Sequence, residues 1–420
     1  MLKGPIALAT LRTSVVLGLR LIVQAGTLLL VARMLGPEQF AAFTGIAALA
    51  VLMGTFATFG THLVLLAQVS RDPAQRDHIL PYAVPTTLIA GGLLFAAYLL
   101  ITQTVFANLD LSFWVLFCIG LAEIVLLPLF VLPATEELAL EKTARSQLLM
   151  VLPLALRMAV AVLVASLQVA DPLTPFSLLY VVSAALALLV MRLLKPRAWP
   201  AIRCWRLATR AELKHSVGYA TLAMTAAGPG ELDKMLAVKL MPLGASGLYA
   251  AASRVIGAAV LPVVALLLSA MPKLFRYSAQ PNAQGQRLSK WIFISVFVYG
   301  WLLAGLLYFA APWIEWLFGG KYAGMAQVLQ LLCLAVPGMV LRHASGNMLV
   351  AKEAPWIRSI IELLGVALLI SFVFFIQLSN GQAKMIFAII LTEWVMAFAS
   401  VLICIVIECG LIRYKYTGVP

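Results

Sequence analysis

The sequence predicts an all-α integral membrane protein with about twelve transmembrane helices arranged as two six-helix halves. Of its 420 residues, 63% are hydrophobic and only 11% are charged, and the mean hydropathy is +1.00. A soluble domain has about 25% charged residues because its surface must be solvated. The apolar residues also fall in segments of about twenty, the length that a helix needs to cross a bilayer. These observations exclude a soluble fold.

Twelve apolar segments are predicted to span the membrane. The connections between them are short, and none is long enough to hold a soluble catalytic domain. Lys3 precedes a long first segment, so we expect the first segment to be an uncleaved span and not a signal peptide. The predicted spans are 9–32, 40–67, 80–103, 112–133, 147–168, 174–194, 216–240, 246–272, 289–311, 324–350, 356–378 and 384–409.

Connections that are rich in basic residues alternate with connections that are poor in them, and this alternation predicts the orientation of the chain in the membrane. The rich connections are the even-numbered ones and the C-terminus; they hold Arg71 and Arg76, Lys142 and Arg145, Arg192 to Lys214, Lys273 to Lys290, Lys352, and Arg413 with Lys415. Short loops rich in lysine and arginine stay in the cytoplasm. We therefore expect both termini to be cytoplasmic. The net charge of +13 reflects this topology and does not indicate nucleic-acid binding.

The longest polar stretch, 195–215, lies at the middle of the chain and divides it into lobes at 1–194 and 216–420. It mixes Arg203, Arg206 and Arg210 with Trp205, a composition typical of a segment on an anionic membrane surface. Two interpretations stay open. The stretch is either a basic tether between the lobes or a site that recognises a lipid-linked substrate.

A weak internal repeat supports the two halves. A shift of 206 residues aligns Arg33 with Lys239, Ala41 with Gly247, and Phe43 with Tyr249. A shift near half the chain is expected of a duplicated six-helix unit, and such repeats are typical of secondary transporters. Because each half has six spans, the repeats are parallel and related by a pseudo-two-fold axis along the membrane normal.

The same residues resemble a known family. The segment 32–40, Ala-Arg-Met-Leu-Gly-Pro-Glu-Gln-Phe, is similar to the "AR-LGPE-F" signature of Wzx-type polysaccharide flippases. Asp233-Lys234, followed by 247–254, resembles their "DK…GLYAAA-R" stretch. One departure is Ala41, where the family more often has glycine. These flippases belong to the multidrug/oligosaccharidyl-lipid/polysaccharide (MOP) exporter superfamily, together with the MATE multidrug exporters.

The resemblance implies a V-shaped transporter whose central cavity opens alternately to each side. It implies a cargo of undecaprenyl diphosphate bearing an oligosaccharide, moved from the cytoplasmic to the periplasmic leaflet of a bacterial inner membrane. The cargo would then supply O-antigen, exopolysaccharide or capsule synthesis, so a polysaccharide polymerase and chain-length machinery are expected partners, besides membrane lipids. No covalent chemistry and no cofactor are expected.

Charged residues at bilayer depth are the candidate site. Each costs about 2.5–3.5 kcal/mol on insertion scales, so such residues survive in pairs or in watery cavities. A diphosphate within the membrane requires cations around it. The candidate cavity cations are Lys234, Arg254, Arg20, Arg157 and Arg342, and Asp233, Glu231 and His62 are candidates for coupling or for structural pairing.

Helical spacing separates the residues of the 231–234 cluster. Glu231 and Lys234 share a helix face, whereas Asp233 lies about 160° away from Glu231. We therefore expect Lys234 to face a cavity and Asp233 to pair with Arg254 on the next span. The preceding 228–230, Gly-Pro-Gly, is expected to break or bend the helix, as in many transporter binding sites.

Each candidate also has a structural interpretation. The Asp233–Arg254 pair would serve equally to hold two helices together. Arg157 and Arg342 lie toward span ends, where a long side chain can reach the interface instead of a cavity. His62 is isolated in sequence and is expected to be packed or hydrogen-bonded. The cysteines show no metal-ligand spacing.

Two other functions compete with the flippase. A membrane-embedded polymerase or ligase would need ionisable groups on a substantial external loop, and the external connections are short. A MATE-like, cation-coupled exporter of small molecules would favour acidic residues in the first lobe. Spans one to six offer only Glu123 for that role.

Overall fold

The computed structural model describes residues 5–279, 283–352, 354–376, 378 and 380–408, and throughout these ranges it contains helices, turns and no strand. The helices are α1 (Pro5–Ala57), α2 (Thr61–Val69), α3 (Arg76–Val105), α4 (Phe113–Gly120), α5 (Leu127–Ala139), α6 (Thr143–Leu167), α7 (Leu173–Leu194), α8 (Arg210–Leu240), α9 (Leu243–Ala279), α10 (Ala283–Phe318), α11 (Met325–Leu332), α12 (Val336–Ala351), α13 (Pro355–Phe375) and α14 (Gly381–Glu408). The all-α membrane fold is confirmed.

Helix α1 contains the first predicted span and most of the second. Its 53 residues would extend about 80 Å as one rod, against a hydrocarbon thickness of about 30 Å. It is two helices joined at a kink, because Gly36 has φ 70° and ψ 171° and Pro37 follows. This backbone conformation is accessible almost only to glycine. The Gly-Pro of the first sequence motif therefore makes the turn between two spans.

Three predicted spans are interrupted. The second ends at Ala57 and resumes at Thr61, because Phe59 and Gly60 have positive φ angles. In the fourth, a π-helical segment at Leu121–Leu126 joins α4 to α5. The tenth is divided into α11 and α12 by a 3₁₀ turn at Cys333–Ala335, next to Pro337. Extra turns of the π type recur at functional sites.

Ten helical segments of the described residues are long and apolar enough to cross a membrane, against twelve predicted spans. The first two predicted spans count as one, Val15–Ala57, because α1 runs through both. The seventh predicted span, in α8, is not tested by this count, because several side chains between residues 222 and 229 lie outside the described residues.

The break expected at 228–230 is absent. Helix α8 is continuous from Arg210 to Leu240. A proline inside a transmembrane helix removes one backbone donor, which the surrounding helix tolerates. The chain nevertheless forms two compact units whose boundary lies here, residues 1–227 and residues 228–420. Residues 195–227 thus pack with the first unit, whereas the sequence suggested lobes separated by a linker at 195–215.

Each unit has its own helical core. In residues 1–227, α1 packs along α6, and the π segment packs against α1, α3 and α7. In residues 228–420, α12 contacts α9, α10, α13 and α14 and is central to the packing. The polar residues of the candidate site lie on helices of these two cores.

Candidate functional site

The two acidic residues of the 231–234 cluster have different partners. Asp233 is 7% exposed and accepts hydrogen bonds from the Tyr249 hydroxyl at 2.8 Å and the Ser253 hydroxyl at 3.1 Å. Lys234 donates to the same carboxylate at 3.1 Å. The Asp233 carboxylate therefore joins α8 to α9 through neutral and charged donors together. We call Glu231, Asp233, Lys234, Tyr249, Ser253 and Arg254 the α8–α9 cluster.

The expected Asp233–Arg254 pair is not formed. Arg254 lies one residue beyond Ser253, which turns it about 100° around α9. Its guanidinium instead reaches Glu231, at 3.5 Å. The ion pair between α8 and α9 therefore uses Glu231 and not Asp233.

Lys234 does not present a free ammonium group, contrary to the prediction that it faces a cavity. It is 4% exposed, and its ammonium donates to the Gly230 carbonyl as well as to Asp233. The Glu231 carboxylate is 3.9 Å away. A buried charge needs such partners to offset its desolvation. Within residues 228–420, the Lys234 ammonium is held by groups of its own helix, α8.

Arg342 also departs from both of its predicted roles. It is buried in α12, and two carboxylates hold its guanidinium. Its Nη1 donates to Glu362 on α13 at 2.7 Å, and its Nε donates to Glu393 on α14 at 2.8 Å. The planar guanidinium of arginine has several N–H donors, so it can bind two carboxylates at once. Arg342, Glu362 and Glu393 form the Arg342 triad, which connects three helices.

In residues 1–227 the π segment carries an ion pair. Glu123 lies in that segment and binds Arg157 of α6 at 3.1 Å. The Tyr180 hydroxyl donates to the same carboxylate, and the Arg157 guanidinium lies 4.1 Å from the centre of the Tyr180 ring. A cation over an aromatic face is attracted by the ring. Arg157 is thus engaged inside the unit and does not snorkel.

Arg20 and His62 are held by neutral groups. Arg20 is partly buried in α1 and donates to the Gln147 side-chain oxygen at 2.7 Å. The Thr58 hydroxyl and His62 Nδ1 are 2.6 Å apart and share a hydrogen bond. His62 is therefore hydrogen-bonded, as one sequence interpretation expected. An amide is a weaker partner for a guanidinium than a carboxylate, so Arg20 can exchange its partner more easily.

Sequence reasoning missed a second ionic network near the predicted cytoplasmic side. Glu136 and Glu137, both 3% exposed, end α5 and share Lys195 at 2.9 and 2.8 Å. Arg76 forms an ion pair with Glu136 at 2.7 Å, and Arg145 lies 3.6 Å from Glu137. The adjacent Glu-Glu pair in an apolar segment was the available signal.

The chain was compared with known proteins. No protein-family model matches it, and no curated protein sequence matches it significantly. Solved structures do match. An inward-facing multidrug resistance MATE family transporter of the MOP superfamily superposes with a TM-score of 0.78 at 14% identity, over 93% of this chain and 95% of the other. The chain has the MOP transporter fold.

Two further structures agree with the MOP fold. The outward-facing conformation of a MATE family transporter of the MOP superfamily gives a TM-score of 0.70 at 14% identity, over 97% of this chain and 96% of the other. A MOP superfamily transporter from Pyrococcus furiosus, described as having a binding pocket of reverse polarity that suggests a different function, gives the same values. At this identity the likeness concerns the fold, which hosts different cargoes.

Proposed function

We propose that this chain is a transporter that flips an oligosaccharide linked to a lipid diphosphate across the membrane by alternating access. One observation carries the proposal: the residues of the second flippase-like motif meet in the α8–α9 cluster. Asp233, Lys234, Tyr249, Ser253 and Arg254 all take part in its bonds. Motif residues that are spread over 22 positions of the sequence therefore form one hydrogen-bonded and ionic cluster. The fold supports transport, and the motif supports this cargo.

Arg254 and Arg20 are the best candidates to bind the diphosphate. The side chain of Arg254 is 33% exposed, and its contact with Glu231 is 3.5 Å, at the limit for a hydrogen bond. Arg20 binds only a neutral amide in the contacts described. A phosphate oxygen offers either guanidinium a stronger, charge-assisted bond. Lys234, Arg157 and Arg342 are better explained as structural, since carboxylates already hold them.

The MATE-like alternative is favoured by a different observation. Residues 228–420 contain the buried carboxylates of Asp233, Glu362 and Glu393 in addition to Glu231. Intramembrane acids commonly bind coupling cations. If the chain exports small cationic molecules, these carboxylates and not the arginines should determine transport.

Complementation distinguishes the two functions. In a strain lacking this gene, Arg254→Gln and Arg20→Gln should each reduce surface polysaccharide at least about tenfold, the effect of losing one charge-assisted hydrogen bond. Lipid-linked oligosaccharide should accumulate in the membrane. Arg33→Gln is the matched control, because Arg33 lies exposed on the same helix as Arg20. All variants are compared at equal protein levels.

Arg20→Lys and Arg254→Lys, which retain the charge, should recover part of the activity. Full complementation by both glutamine variants would contradict the assignment of these arginines. Normal surface polysaccharide in the deletion strain, together with drug sensitivity that Glu393→Gln fails to rescue, would favour the MATE-like function.

A further inference from the structure

An apolar groove lies within residues 1–227, on the side that the basic connections predict to be cytoplasmic. Its volume is about 490 Å³, within the roughly 300–1,000 Å³ range of small-molecule sites. Its walls come from α3, α5, α7 and the connecting segment that follows α7. Arg192 is the one charged residue among those that line it, and the most prominent lining residues are Val84, Leu88, Leu129, Leu188, Trp199 and Trp205.

The two tryptophans are fixed by hydrogen bonds. Trp199 Nε1 donates to the Leu129 carbonyl at 3.1 Å, and Trp205 Nε1 donates to the Pro200 carbonyl at 3.2 Å. Each indole therefore satisfies its polar atom against the backbone and contributes an apolar ring to the groove. A surface of this composition favours hydrocarbon over water. The occupant should contain an aliphatic chain.

One cation lines the groove, and others are exposed in the segment that forms one of its walls. Arg192 lies at its edge, 3.4 Å from the Trp199 carbonyl, and Arg197 and Arg203 are exposed in the same connecting segment. Lys195 is held by Glu136 and Glu137 and contributes little to this positive surface. The exposed arginines therefore attract an anion next to the apolar groove.

The connecting segment itself has the composition of a membrane surface. Ile202 is 75% exposed and Leu207 is 72% exposed, on either side of Arg203 and Arg206. Apolar side chains next to arginines are typical of segments that lie in the headgroup region. The cytoplasmic leaflet is rich in anionic lipids, which attract such segments.

We propose that the groove binds one acyl chain of an anionic phospholipid, whose phosphate binds Arg192 while Arg197 and Arg203 add attraction. The apolar lining accounts for the chain, and the arginines account for the charge. A zwitterionic lipid would satisfy the lining but would be attracted less by the arginines, because its headgroup cation offsets the charge of its phosphate. The proposal does not depend on the identity of the transported cargo.

Brominated lipids test the site, because bromine on an acyl chain quenches tryptophan fluorescence on contact. The purified full chain in mild detergent is titrated with brominated phosphatidylglycerol or brominated phosphatidylcholine. Phosphatidylglycerol should quench at concentrations several-fold lower. That preference should disappear in the Trp199→Phe/Trp205→Phe variant, which shows that the quenched indoles are those of the groove.

Two variants distinguish the contribution of the lipid headgroup to binding from that of the acyl chain. Arg192→Gln should raise the midpoint for phosphatidylglycerol about fivefold, the effect of one cation near an anionic surface. The midpoint for phosphatidylcholine should rise less, because its choline cation already offsets the phosphate charge. Ala201→Phe should fill the groove and reduce quenching by both lipids. Arg71→Gln is the control, since Arg71 is an exposed arginine outside the groove. Thermal unfolding confirms that each variant is folded.

Equal quenching by the two lipids, or an unchanged midpoint in folded Arg192→Gln, would overturn the proposal. So would undiminished quenching in folded Ala201→Phe. Displacement by a polyprenyl phosphate but not by phosphatidylglycerol would assign the groove to cargo binding and would also overturn it.

Discussion

At the scale of single residues, buried charges in the described part of the chain have partners on their own helix or on neighbouring helices. Asp233 collects donors from α8 and α9, and the Arg342 triad collects two carboxylates around one guanidinium. Such groups persist at membrane depth because each partner offsets part of the desolvation cost. Removing one partner leaves the desolvation cost of the other uncompensated and lowers the stability of the protein.

Arg342→Met should destabilise the protein by about 3–5 kcal/mol, the usual cost of leaving a buried charge without its partner. Glu362 and Glu393 would then repel each other with no cation between them. The measurement is thermal or denaturant unfolding in mild detergent. Arg342→Met/Glu362→Gln/Glu393→Gln should recover most of the loss, because no uncompensated charge remains. A single variant as stable as the wild type would show that the triad is not an ionic unit.

Tyr249→Phe should cost about 1.5–3 kcal/mol, the value of a hydrogen bond to a charged group. The ring stays, and only the hydroxyl that donates to Asp233 is lost. Tyr98→Phe provides a matched control, since the buried Tyr98 hydroxyl has no hydrogen-bond partner in the part of the chain that the structure describes. That change should be neutral or stabilising. Equal losses in the two variants would mean that the Asp233 bond contributes nothing specific.

At the scale of elements, a few local devices decide where helices begin, turn and approach each other. Helix α8 begins with a capping box: Thr209 N donates to the Glu212 carboxylate at 2.7 Å, and Glu212 N donates to the Thr209 hydroxyl at 3.3 Å. Gly54 of α1 touches the π segment closely, so a Cβ there would collide with the Glu123 carbonyl. Gly36 supplies the kink in α1.

Gly36→Ala should destabilise the protein by about 1–3 kcal/mol, because alanine rarely adopts φ 70° with ψ 171°. Gly18→Ala, in the regular part of the same helix, should be neutral or slightly stabilising, since a Cβ there meets open space. Unfolding in detergent compares the two variants. If both alanines were tolerated equally, the kink would not depend on glycine.

Glu212→Gln should lower stability at pH 7 by about 0.5–1 kcal/mol, the range of a cap or a surface ion pair. Hydrogen bonds from Arg206, with help from Thr209, lower the pKa of Glu212 from 4.5 to about 2. Because the folded-state pKa is depressed, this contribution is complete above about pH 4.5 and disappears as the pH falls toward 2. The difference between wild type and variant should follow that window. A difference that grows below pH 4.5 would contradict the assignment.

At the scale of the whole molecule, two compact helical units share one chain, and each contains its own ionic network. The unit at 228–420 contains the α8–α9 cluster and the Arg342 triad, while the unit at 1–227 contains the Glu123–Arg157 pair and the Glu136–Glu137 network. Basic connections predict the orientation of both units in the membrane.

Cys204 tests that orientation. It is exposed in the long basic connection, whereas Cys118, Cys333 and Cys404 are buried. In a Cys409→Ser background, because Cys409 lies outside the described residues, a membrane-impermeant maleimide should label inverted vesicles and not right-side-out vesicles. Cys204→Ser should abolish the labelling. Labelling from the outside alone would reverse the predicted topology.

The sequence by itself determined the membrane class, the positions of most helices and the residues of the two motifs. Hydropathy and segment length are local properties that the bilayer imposes on every span, so they can be read without contacts. Gly36-Pro37 was visible as a motif, but its backbone conformation was not. The continuous α8 shows the limit of local rules, since Gly-Pro-Gly did not end it.

Only the tertiary structure decided which charges meet. Asp233 and Arg254 were both recognised, yet Asp233 binds Tyr249 and Ser253 while Arg254 binds Glu231. One residue turns a side chain about 100° around its helix, and the sequence does not fix how two helices are rotated against each other. The Arg342 triad joins residues 20 and 51 positions apart for the same reason. The partner of each charge therefore depends on helix packing. For this reason, most of the cations that were predicted to line a cavity are paired with carboxylates in the structure.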